Sequence, residues 1–213
     1  MRTDELIAEL AAGLKPTPPG AARRTLAAGL LIGGALALLL MLGWLGARPD
    51  LAAAMRTSPF WMKAGYTLLL TLAGFGLVDR IGRPGASGRG ALILALTIVA
   101  VMATMGLMQM MRAPAAARPA LFFGASYAVC GLYILAVSTP VLVAVFMTLR
   151  RMAPTRPGLA GAAAGLLAGA AGASVYGLHC TESSALFVAV WYSLGIGAVS
   201  AIGAITGRYA LRW

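Results

Sequence analysis

The four residues His179, Cys180, Thr181 and Glu182 bring together the single histidine of the chain, one of its two cysteines and one of its six acidic side chains. Such groups offer three kinds of chemistry. The Cys180 thiol can bond to that of Cys130, the only other cysteine, provided the two Cα atoms come within about 7 Å. Cys130, Cys180 and His179 can supply three donors to a soft or borderline metal, with Glu182 or water as a fourth. Finally, His179 and Glu182 can close a hydrogen-bonded turn that caps the next helix, with Thr181, Ser183 or Ser184 as the capping residue. Neighbouring side chains such as His179 and Cys180 meet at one ion only if the loop bends, which makes a thiol–thiol bond the simpler sulfur chemistry. Neither cysteine belongs to a Cys-x-x-Cys pair, which excludes a zinc-finger framework and the usual thioredoxin motif. No nucleophile is accompanied by a base and an orienting partner, so catalysis loses ground.

The elements that must position these groups are apolar. Of the 213 residues, 60% are hydrophobic and 11% charged, against about 25% charged in soluble domains. Six runs are long enough to cross a bilayer as helices: Thr25 to Gly46, Trp61 to Val78, Gly90 to Met111, Leu121 to Met147, Gly158 to Leu178 and Ala185 to Thr206. The fold class expected is an all-α membrane protein, a six-transmembrane-helix bundle (25–213) preceded by a short cytoplasmic amphipathic helix within 1–24. The net charge of +11 does not indicate direct nucleic-acid binding, because the arginines stand singly or in pairs between apolar runs. "RRTL" at Arg23 is no export signal, since the run after it is long and leads into further spans.

Twelve of the lysines and arginines fall in one alternate set of connections and five in the other. The positive-inside bias then places both termini in the cytoplasm and the His179 connection outside. Cys130, nine residues after Leu121, falls about 13 Å along its helix on the outer side, so both thiols belong to the outward half. The bland reading of Cys130 is a small core residue. Lys63 stands at a helix end from which it can snorkel, and no run carries a carboxylate at its centre, which counts against ion-coupled transport. Gly161, Gly165 and Gly169, with Gly203 and Gly207, recur every four residues, a spacing suited to close packing within the bundle. Pro140 predicts a kink near Ser138 and Thr139.

The only sizeable polar segment is "MRTDELIAELAAGLKPTPPGAARR". Thr3 can cap a helix with Asp4 and Glu5 in its first turn. Leu6, Ile7, Leu10 and Leu14 form one apolar stripe, and Pro16 ends the pattern. Docking in a partner's groove and lying on the bilayer surface both fit this stripe, although Asp4, Glu5 and Glu9 suit an anionic surface poorly.

Taken together, "TDELIAELA", "APTRPGLAG", "GLHCTESSALFVAVWYSLGIG" and the closing "GRYALRW" resemble the NrsF family of bacterial integral-membrane anti-sigma factors, over essentially the whole chain. The resemblance implies a non-enzymatic negative regulator in the bacterial inner membrane. It would hold an extracytoplasmic-function sigma factor through its short cytoplasmic N-terminus, where the helix pattern above offers Asp4, Glu5, Leu6, Ile7 and Leu10 as the contact residues. Cys130 and Cys180 would be needed to respond to envelope or heavy-metal stress, with no resident cofactor beyond a transient soft metal ion. The rivals from other classes are a thiol-disulfide membrane oxidoreductase, which would need a further cysteine pair to pass electrons on, and a small permease.

Overall fold

The computed structural model describes residues 2–12, 18, 20–83 and 85–212. Its six long apolar helices span Ala21–Trp44, Ser58–Ile81, Arg89–Arg112, Tyr127–Arg150, Pro157–Tyr176 and Ala185–Ala210. These six spans, first to sixth below, are long and apolar enough to cross a membrane. The protein is therefore the expected all-α bundle, with the backbone polar groups in the interior of each span paired along its own helix.

The fifth span is the centre of the bundle, with most of its side chains buried, and the second, fourth and sixth spans pack around it. Small residues permit this. A β-carbon on Gly161 would fall on the carbonyl of Gly203, and one on Gly207 would stand 2.8 Å from the Cα of Gly161. The glycine repeats of the fifth and sixth spans thus face each other within one chain, as their spacing predicts. The first span buries only Leu26, Gly33, Ala37 and Met41, a single stripe laid mainly along the fourth span. A β-carbon on Gly33 would stand 2.7 Å from the Cα of Val141, beside Pro140. Pro140 lies inside an unbroken helix, where Ser138 and Thr139 donate to the carbonyls of Ile134 and Leu135 at 2.6 and 3.1 Å.

Three boundaries differ from the sequence expectation. The run from Leu121 is not one helix: Arg118–Phe123 forms a short helix of its own, the chain turns at Gly124, and the fourth span starts at Tyr127. Gly124 has φ 55°, and a β-carbon there would stand 2.6 Å from the Glu182 carboxylate, so both backbone and space require glycine. Cys130 consequently lies in the first turn of its span, nearer the start of the helix than expected. A second short helix, Leu51–Ala54, interrupts the connection between the first two spans. The sixth span contains a π-helical turn, Val188–Tyr192, that hydropathy does not reveal.

The N-terminal helix runs from Thr3 to Ala12. Thr3 opens it, and the backbone N–H of Arg2 donates to Glu5 at 3.1 Å, so the capping position is Arg2 and not Thr3. Leu6 and Ile7 are 40% and 59% exposed and belong to neither core cluster of the bundle. The side chain of Leu10 and the whole of Leu14, Lys15 and Pro16 lie outside the described residues.

Candidate functional site

Buried residues form two clusters. One, around Leu26, Leu149, Ala160 and Leu211, fills the half of the bundle next to the termini. The other, at the opposite end, holds both cysteines together with Tyr66, Ile134, Tyr176, Phe187 and Tyr192. Cys130 is fully buried and Cys180 nearly so, and both are free thiols. Tyr176 is buried in the same cluster as both sulfurs. Tyr192, delivered by the π turn, is fully buried, and its hydroxyl has no hydrogen-bond partner among the described residues. The two cysteines, 50 residues apart in the chain, thus fall in one buried cluster, as the sequence reading of a single thiol-bearing side anticipated.

The connection carrying Cys180 is held from every side. Lys63 is buried, and its ammonium donates to the carbonyls of Cys180 and Glu182 at 2.7 and 3.1 Å. It does not snorkel as its place in the sequence suggested, because those two carbonyls supply the polar partners that water would otherwise provide. Arg48 donates to the same Cys180 carbonyl at 3.3 Å and forms a two-bond ion pair with Asp50 at 2.7 Å. Hydrogen bonding to Arg48 holds the Asp50 carboxyl below its ordinary range, and the same bond raises Arg48.

His179 and Glu182 act as tethers. His179 Nδ1 lies 2.9 Å from the Gly46 carbonyl, an acceptor, so this nitrogen carries the proton. Glu182 accepts from the Ala125 N–H at 2.7 Å and from the Ser126 hydroxyl at 3.3 Å, which ties it to the start of the fourth span. Among the described residues no group of three or more His, Cys, Asp or Glu side chains is placed to hold a metal ion. The expected donor set of Cys130, Cys180 and His179, with Glu182, is not assembled, because both non-sulfur members are turned to backbone and hydroxyl partners.

Of the three capping candidates, Ser184 takes the role, its hydroxyl accepting from the Phe187 N–H at 3.3 Å. That hydroxyl also donates within reach of the Leu121 carbonyl and of Gln109, whose side-chain oxygen accepts from the Leu186 N–H at 3.1 Å. Sequence reasoning missed Gln109, Lys63, Arg48, Tyr176 and Tyr192 as site residues; for Gln109, a lone amide near the end of the third apolar run was the available signal. The residues 178–186 thus bind all the neighbouring connections at this end, through Gly46 and Arg48, through Lys63, and through Leu121, Ala125 and Ser126. A cleft of about 320 Å³, walled by Leu45, Arg48, Pro49, Tyr176 and His179, leads to Cys180.

Fold and site define a polytopic helical membrane protein in which a clamped connection covers a buried thiol pair at one end, with an exposed amphipathic helix at the chain start. The chain belongs to the NrsF family, described as negative regulator of sigma F, whose pattern matches residues 10–213. It is 48% identical to the anti-sigma-F factor NrsF of Caulobacter vibrioides (strain NA1000 / CB15N) and 41% identical to the probable anti-sigma-F factor NrsF of Azospira oryzae, each over the full length of both chains. No solved structure matches the chain.

Proposed function

We propose that this protein is an anti-sigma factor of the bacterial inner membrane that holds a sigma factor of the extracytoplasmic-function class through the helix Thr3–Ala12. It releases that partner when the thiols of Cys130 and Cys180 change state on the opposite side. Full-length similarity to two anti-sigma-F factors supports a sigma factor as the partner. The exposed Leu6 and Ile7 beside Asp4 and Glu5 support the contact surface.

The observation that carries the sensing half is the placement of Cys130 of the fourth span and Cys180 of the connection 178–186 in one buried cluster. Joining the thiols removes two electrons and two protons, which pass to a peroxide or a small-molecule disulfide reaching Cys180 through the cleft. Metal chemistry would rest on the two sulfurs, since His179 and Glu182 are engaged elsewhere.

Transmission uses contacts already described. Cys130 sits one turn before Tyr133, whose ring meets Trp44 of the first span at 5.3 Å and Tyr176 at 6.0 Å. The first span packs along the fourth to the region of Pro140 and leads directly into the N-terminal segment. Moving the partner from mostly bound to mostly free requires several kcal/mol, about 5.5 for a shift from 1:99 to 99:1. The experiment is co-purification of the sigma factor with membranes before and after oxidation by diamide. Retention that is unchanged by diamide in the native protein would refute sensing while leaving partner binding intact; loss of retention only in the native protein, and not in a Cys130→Ser variant, is expected.

A further inference from the structure

The third span packs against the second and against the outer end of the sixth, where Gly106 meets Leu186, but hardly touches the fifth. Toward the end that bears the termini, the separation opens a cavity of about 620 Å³. Its walls include Leu77, Leu92, Leu159 and Leu166, and its rim carries Arg83, Arg89 and Arg156. Leu92 and Leu159 are about half exposed. Arg83 is paired with Asp79 at 2.6 Å, whereas among the described residues neither Arg89 nor Arg156 has a carboxylate within ion-pair distance.

We infer that this cleft binds one anionic phospholipid, with its phosphate between Arg89 and Arg156 and an acyl chain against Leu92, Leu159 and Leu166. Charge selects the headgroup, because two guanidinium groups with no carboxylate partner among the described residues line this cavity at the start of the third and fifth spans. Depth selects a lipid over a peptide. Leu166 lies nine residues beyond Pro157, about 13 Å along the helix at 1.5 Å per residue. A peptide reaching it would carry backbone polar groups into hydrocarbon, where each is costly; an acyl chain carries none. Leucine walls likewise distinguish this site from one for a free inorganic anion. The site stands apart from the thiols and independent of how the partner is released.

The test uses full-length protein in neutral detergent, offered equal amounts of phosphatidylglycerol and phosphatidylcholine with the same chains, with retained lipid counted by native mass spectrometry. The native protein should prefer phosphatidylglycerol by about thirtyfold, the scale of two basic residues near a headgroup at about 1 kcal/mol each. The double variant Arg89→Gln, Arg156→Gln should lose that preference. Leu166→Trp should reduce lipid retention with both charges in place. Equal retention of the two lipids by the native protein, or an unchanged preference in both variants, would overturn the proposal. Displacement of the lipid by an equal concentration of glycerol 3-phosphate would reassign the site to simple anions, and displacement by a peptide of residues 1–12 would reassign it to the N-terminal helix; each overturns the lipid.

Discussion

The Lys63 ammonium and the Cys180 carbonyl, 117 residues apart in the chain, are joined by a 2.7 Å hydrogen bond. This bond fixes the backbone of the thiol-bearing connection to the second span. In Lys63→Met the Glu182 carbonyl loses its donor and the Cys180 carbonyl keeps only Arg48, a loss of about 1–3 kcal/mol for a buried acceptor left without a partner. The expected outcome is faster alkylation of Cys180 by a maleimide and a lower thermal midpoint. Labelling and melting identical to the native protein would remove Lys63 from the clamp.

Replacing Cys130 or Cys180 by Ser should each fix target-gene expression in one state, and the double replacement should add nothing, since both thiols serve one event. A sigma-dependent reporter with and without oxidant measures this at matched protein levels. Responses that survive in both single variants would return the cysteines to packing alone.

The contact stripe of the N-terminal helix predicts that Leu6→Asp combined with Leu10→Asp weakens partner binding at least about a hundredfold, from roughly 1.5–3 kcal/mol per buried leucine. Target genes would then be expressed without stress. If membranes bearing this variant retained the sigma factor, the determinant would lie in the connections at Arg80 or Arg150.

The uneven division of basic residues predicts both termini inside and the connection at His179 outside. Reporter fusions after Ala117, Ser183 and Trp213 measure each end. Activity of a cytoplasmic reporter at Ser183 would invert the arrangement and place the thiols inside.

At the fifth and sixth spans, Gly161→Val should reduce folded yield and shift the melting midpoint downward, because its side chain would collide with the Gly203 backbone. Overpacking of this kind costs about 1–3 kcal/mol or more. Gly43→Val, on a glycine with nothing within 4 Å, is the control. Equal yields for the two would show that the interface is looser than described.

Most of the fold was legible because a bilayer allows few solutions: apolar runs of sufficient length become helices, and their order fixes which ends meet. The break at Gly124 escaped because Gly124, Ala125 and Ser126 are small and continue the apolar run, while the reason for the turn, the Glu182 carboxylate, lies in another connection. The thiol pair was legible as two groups on one side, but not its surroundings. Lys63, Gln109 and Tyr192 reach the site from different spans, and a single sequence carries no signal for such distant meetings. The metal donor set failed for the converse reason: adjacency at His179 and Cys180 suggested convergence, whereas neighbouring side chains in this turn leave in different directions to different partners.

The narrow seam of the first span, four buried residues along one face, has a mechanical consequence. A rod held along one line and otherwise bathed in lipid has rocking about that line as its softest motion. Its 24 residues make it about 36 Å long at 1.5 Å per residue, so a tilt of about 10° carries one end some 6 Å relative to the other. Displacements too small to disturb the central packing of the fifth span are therefore magnified at Ala21, where the chain leaves for its N-terminal helix.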